Sequence, residues 1–156
     1  MTPAMQTLMR DIARTWDDVV TGLHERRDTG PAAAVLAEDV VWTELPTGAG
    51  GTGRAPVLAH LDAVAGALPG GWARTRVSRT LDVRRIADEV RFGFVHDREL
   101  PWLLPGTPPT GRPAEVTAVQ LVRVRQGRIE EVRTLWDVAG LRSALGLRDP
   151  GELSCR

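Results

Sequence analysis

The sequence predicts an α+β fold in which helices pack on one face of a curved antiparallel sheet. Two observations predict it. Over the first 68 residues apolar side chains recur mostly at helical spacing, with one β-rich run between, whereas from residue 73 onward they alternate. Turn signals, and no repeats, linkers or low-complexity tracts, separate these segments. At 156 residues the chain has room for one hydrophobic core, read as a single domain over 1–156.

The elements follow in order. Leu8, Ile12, Trp16, Val19, Val20 and Leu23 mark a helix within 5–27, stopped by Asp28-Thr29-Gly30-Pro31. A short helix over 32–37 precedes the β-rich run Val40 to Pro46, which ends in the glycine-rich stretch 48–53, read as a turn. Pro56 opens a third helix over 55–68, with Val57, Leu58, Leu61, Val64 and Leu68 on one face and Pro69-Gly70-Gly71 at its end. Strands are expected over 73–86, 89–100, 115–125 and 128–137, with turns at Asp88 and at Gln126-Gly127 and a loop over 101–113. A last helix covers 138–146.

Composition excludes several function classes. Twenty basic and twenty acidic residues balance, so no basic excess exists to hold nucleic acid. Every basic side chain is Arg, which rules out Lys Schiff-base chemistry, and the absence of Tyr removes phenolic acids. The single cysteine, Cys155, cannot form an internal disulfide. The N-terminus lacks the apolar core of a signal peptide, and no apolar run approaches the roughly 20 residues that span a bilayer. A cytoplasmic protein without membrane contact is expected. His24, His60 and His96 show no metal-ligand spacing, the glycine-rich stretch precedes no Walker-type Lys, and no Ser or Cys lies in a nucleophile motif, so neither metal nor cofactor is expected.

Strand alternation gives the candidate site. Trp42 and Glu44 share a face, and a carboxylate on an inward face is costly unless partnered or functional. Further along, Asp97 and Glu99 share one face and His96 and Arg98 the other. On the last strand Val132, Thr134 and Trp136 share a face, while Asp137 either caps the final helix or joins the site. Trp42, Trp102 and Trp136 are candidate pocket walls, offering flat apolar area with one N–H donor each. The apolar segment Trp102-Leu103-Leu104-Pro105-Gly106 would fold over the pocket mouth.

The run His96 to Gly106, then Pro109-Thr110-Gly111-Arg112, Gly127-Arg128-Ile129 and Leu135-Trp136-Asp137, resembles the SnoaL-like branch of the NTF2-like superfamily. So does the segment 39–54, and together these cover most of residues 5–147. The resemblance implies a cone-shaped fold around one pocket. It implies a cofactor-independent acid–base enzyme acting on a small apolar molecule, most simply a polyketide-type cyclase or isomerase of specialised metabolism such as antibiotic biosynthesis. The alternatives are an epoxide hydrolase of the limonene type and a non-catalytic ligand-binding dimer. In the epoxide hydrolases an Arg and an Asp two apart polarise the epoxide. Here the Arg position holds Asp97 and the Asp position Glu99, and the water-activating Asp is replaced by Thr134. The acid–base role therefore falls to Glu44, Asp97 and Glu99, expected to converge on one cavity, with His96 and Asp137 in reserve. Val119, Leu121 and Leu135 would leave an apolar outer face on a monomer, so a homodimer is expected.

Overall fold

A computed structural model describes residues 1–148; Cys155 lies outside the described residues. Helix α1 spans Pro3–Thr21 and passes into a π-helical turn over Gly22–Arg26. Its start is set by Thr2, whose hydroxyl accepts the Met5 N–H, and by proline in the first turn. Ile12, Trp16, Val19 and Val20 recur at helical spacing and are buried. The other elements are α2 (Gly30–Val35), β1 (Leu36–Leu45), β2 (Ala49–Thr52), α3 (Arg54–Gly66), β3 (Ala73–Leu81), β4 (Arg85–Val95), β5 (Pro113–Arg125), β6 (Arg128–Trp136) and α4 (Val138–Ala144).

The six strands form one sheet in the order β2-β1-β6-β5-β4-β3. Every neighbouring pair is antiparallel except β1 with β6, which run parallel. That parallel pair joins the two halves of the chain and departs from the purely antiparallel sheet expected. The glycine-rich stretch is also more than a turn, because Ala49–Thr52 pairs with β1. At Gly50, φ is +129° and a Cβ would collide with the Trp42 carbonyl, so this edge strand needs glycine for close approach.

One boundary moved. The turn expected at Asp88 lies at Asp82, whose carboxylate accepts the N–H groups of Arg84 and Arg85 at 2.7 and 2.8 Å. Asp88 is instead a fully buried mid-strand residue. The second turn is where expected: Gln126 and Gly127 both have positive φ, 51° and 73°, as a two-residue hairpin requires.

Even-numbered residues of β4 and β5 face inward: Ile86, Asp88, Val90, Phe92 and Phe94 on one strand, Val116, Ala118, Gln120, Val122 and Val124 on the other. Register aligns a buried polar row across the inner face. Glu44 pairs with Thr134, Thr134 with Gln120, Gln120 with Asp88, and Asp88 with Arg79.

Candidate functional site

Glu44 is the centre of the site. Its residue is 5% exposed, and no Arg reaches it. Trp42 Nε1–H donates to Oε1 at 3.0 Å and Trp136 Nε1–H to Oε2 at 2.7 Å. His60 Nε2 lies 3.3 Å from Oε1. Alternation puts Trp42 and Glu44 on the same face of β1, and the parallel register brings β6 alongside with Thr134 opposite Glu44. His60 arrives from α3, in line with the buried Val57 and Val64 on the helix face that packs on β1 and β2. A ring nitrogen facing a carboxylate oxygen acts as the donor, so Nε2 is a nitrogen that carries a proton.

A concavity of about 150 Å³ opens beside this pair, lined by Ala49, His60, Ala63, Val64, Pro101 and Trp102. Trp102 is buried, and its carbonyl accepts the Thr47 hydroxyl at 2.9 Å, which ties the segment after β4 to the end of β1. An aromatic wall continues inward. The Phe92 ring centroid lies 4.8 Å from that of Trp136, and Trp72 lies 4.9 Å from Phe92 and 6.2 Å from Trp102. His24, in the π-helical turn, stacks on Trp72 and accepts its indole N–H at 3.1 Å. Burial, followed by the charge of Arg74, pushes the His24 pKa down to about 3, so the ring is neutral near pH 7.

A larger concavity of about 290 Å³ lies on the outer side of the sheet, around Arg85, Leu121, Arg123, Glu131 and Arg133. Those charged side chains are exposed or half-exposed, so size alone does not make it the reactive site. The smaller pocket is lined by His60, whose Nε2 meets the buried Glu44.

The sequence-predicted residues divide clearly. Glu44, Trp42, Val132, Thr134 and Trp136 share the inner face, and Trp102 lines the pocket. The convergence of three carboxylates does not occur. β4 ends at Val95, so alternation does not continue to residue 99. Asp97 is exposed; its carboxylate takes the Arg98 Nε–H at 2.9 Å and the Gly70 N–H at 3.3 Å. The Arg98 hydrogen bond holds its pKa below the ordinary carboxylate value. Glu99 is exposed and accepts the Gly106 N–H at 2.9 Å. Asp137 is exposed and caps α4 through the Gly140 N–H at 3.0 Å. His96 is fully buried, facing inward on the parity opposite to Asp97. Sequence reasoning missed His60, although a histidine aligned with Val57 and Val64 on the core face of a helix was a visible signal.

The model of the SnoaL-like polyketide cyclase family matches residues 10–145. The chain belongs to that family. Among solved structures it is similar to a candidate SnoaL-like polyketide cyclase from Jannaschia sp. CCS1, at 14% identity and TM-score 0.74, covering 96% of this chain and 98% of that one. IdmH, a candidate polyketide cyclase from Streptomyces antibioticus, matches at 23% identity and TM-score 0.69, over 86% of this chain and 98% of that one. AclR, a candidate hydroxylase from Streptomyces galilaeus, matches at 18% identity and TM-score 0.68, over 88% and 97%. Other matches have ketosteroid-isomerase-like and NTF2-like folds, and this chain shares that architecture of helices on a curved six-stranded sheet. No curated protein matches the chain. Among the described residues no helix is long and apolar enough to cross a membrane, and no three His, Cys, Asp or Glu side chains group to hold a metal ion.

Proposed function

We propose that this protein is a cofactor-independent cyclase or isomerase that moves a proton beside a carbonyl group in a small, uncharged, largely apolar molecule. One observation carries the reading. A buried carboxylate with no cationic Arg partner holds a histidine that lines an apolar pocket. Structural carboxylates in a protein interior are commonly paired with Arg; this one is held by two indole N–H donors and a histidine, an arrangement that suits catalysis.

The chemistry follows from the tautomer. His60 Nδ1 takes a proton from the carbon next to the carbonyl; the C–H bond breaks, an N–H bond forms, and the electron pair moves onto the carbonyl oxygen as an enolate. Glu44 stabilises the imidazolium formed on His60. In an isomerisation His60 returns the proton to another carbon. In a cyclisation the enolate carbon attacks a second carbonyl, and His60 returns the proton to the resulting alkoxide. Family membership favours the cyclase form. An epoxide hydrolase finds less support, because Thr134 beside Glu44 is neutral and Asp97 is exposed.

Deuterium incorporation next to the carbonyl of uncharged ketones and keto esters, followed by NMR in D2O, tests the reading. Wild-type protein is expected to accelerate incorporation, and Glu44→Gln and His60→Gln each to lower it by roughly 100-fold or more. Binding of these compounds with incorporation no faster than in buffer would instead support a ligand-binding module.

We also propose a homodimer formed through the outer sheet face, where Val119 and Leu135 are paired neighbours and both exposed. Sedimentation at micromolar concentration checks it; a purely monomeric species overturns it.

A further inference from the structure

Among the described residues, two buried side-chain nitrogens have no hydrogen-bond partner, His96 Nε2 and Arg142 Nε. Arg142 lies on α4 and is only half-buried, with its Nη2 donating to the Arg148 carbonyl. His96 is different, because its side chain is wholly buried. The Thr110 backbone N–H donates to His96 Nδ1 at 3.2 Å, and the Thr110 hydroxyl lies 3.0 Å from the same nitrogen. A nitrogen that accepts a backbone N–H carries no proton, so the proton sits on Nε2. The fold has thus fixed the tautomer of a buried donor and given that donor no acceptor. Such groups are rare in proteins, and one in an enzyme interior calls for a ligand.

Its position points the same way. His96 directly follows β4 and is as buried as Phe92 and Phe94 before it, and Phe94 packs 5.2 Å from Trp72 in the aromatic wall. Two elements flank it. The loop after α3 is tied to this stretch by Val95 N–H on the Gly70 carbonyl at 2.8 Å, and Leu100 to Leu104 folds back on itself through a bridge between its ends. The second of these supplies Pro101 and Trp102 to the pocket beside His60.

We propose that His96 Nε2–H receives a carbonyl oxygen of the substrate, and that the substrate class is uncharged ketones or esters. This rests on the acid–base reading of Glu44 and His60, and gives it the second group that enolisation needs. A proton leaves carbon more readily when the developing oxygen charge meets a fixed donor. Burial pushes the His96 pKa below its ordinary value, against the opposing charge of Asp97, so the imidazole is a neutral donor that does not select for anions. The pocket walls agree, since Ala49, Ala63, Val64, Pro101 and Trp102 carry no charge.

The test separates the two nitrogens of His96. His96→Asn places an amide oxygen near the Nδ1 position, keeping the bond to Thr110, and leaves nothing at Nε2. His96→Gln places an amide nitrogen near Nε2. The probe is 1-indanone, a flat uncharged ketone, with NMR of protein labelled with ¹⁵N-histidine. Adding it to wild type is expected to shift the His96 Nε2–H signal. His96→Asn is expected to bind it about tenfold more weakly, with a melting temperature unchanged or raised, and His96→Gln to recover part of that loss. A His96 signal that does not move at the solubility limit of the ketone overturns the proposal, as does unchanged affinity in His96→Asn. His60→Gln tells this failure apart from failure of the acid–base reading. It is expected to keep the affinity and the His96 shift while losing deuterium incorporation. If it keeps incorporation as well, the base is misassigned, and the donor role of His96 stands on its own shift.

Discussion

Two carboxylates lie buried on the inner face of the sheet, in the same cross-strand row, and their surroundings are opposite. Asp88 takes Arg79 on both oxygens, at 2.7 and 2.8 Å, with Arg74 and the Trp16 indole at 3.2 and 3.1 Å. Arg79 in turn reaches Asp17 on α1, and Arg74 holds the Gln120 side chain. Burial alone would raise the Asp88 pKa, but Arg79, Arg74 and Trp16 outweigh it and hold it below the ordinary value. Glu44 has two indoles and one histidine. One carboxylate is neutralised within a closed network that ties α1 to β3 and β4. The other meets no Arg and sits beside a pocket. Burial is therefore a poor guide to function here; the charge of the partners is the better one.

The comparison predicts opposite outcomes for equivalent substitutions. Asp88→Asn leaves two buried guanidinium groups short of an acceptor, and is expected to lower stability by about 3–5 kcal/mol in urea unfolding. If it unfolds no more easily than wild type, the distinction between the two regions fails. Glu44→Gln is expected to cost stability much less, about 1 kcal/mol, because only neutral donors lose a partner. Its main effect is on turnover, by the ~100-fold or more expected when the carboxylate that stabilises the imidazolium on His60 is lost, as the deuterium assay reads.

His24 sharpens the boundary between the regions, since it feels Arg74 on one side and stacks on Trp72 on the other. Its folded pKa of about 3 lies below the ordinary histidine value of 6.5. The unfolded chain therefore binds a proton that the folded chain does not, and stability falls as pH drops from about 6.5 toward 3. The slope is about 1.4 kcal/mol per pH unit from this one group. Unfolding free energies at pH 7, 6, 5 and 4 are expected to be less steep in pH for His24→Gln than for wild type; parallel curves would remove His24 from the account. The smallest effects are expected at the exposed carboxylates. Asp97→Asn and Glu99→Gln are each expected to leave stability within about 0.5 kcal/mol and deuterium incorporation near the wild-type rate. A large loss of activity in either would bring the segment after β4 back into the site.

Much of the fold was legible because it is local. Helical spacing located α1 and α3, and alternation placed Trp42 with Glu44 and Thr134 with Trp136. The misreadings came from partners distant in sequence. Asp88 looked like a turn because aspartate is unfavourable in a strand, and only Arg74, Arg79 and Trp16 make its burial tolerable. The glycines at 50 and 51 looked like a loop because their pairing with Thr43 and Trp42 is a matter of backbone approach, which leaves no side-chain pattern. His60 was visible on the α3 core face, but it was judged for metal binding rather than for what it would face across the layer. Asp97 and Glu99 were carried into the site by extending alternation past Val95, where the ladder stops.

The collision that any Cβ at Gly50 would make with the Trp42 carbonyl bears on how this protein diversifies. Trp42 is one of the donors on Glu44, so a side chain at position 50 would move this buried carboxylate along with the strand that bears it. That wall of the pocket is frozen against mutation. Room for change lies on the other walls, at Ala63, Val64 and Pro101, where a different side chain reshapes the cavity without displacing Glu44 and His60. A library built for altered specificity would spend its diversity there and leave 50 untouched.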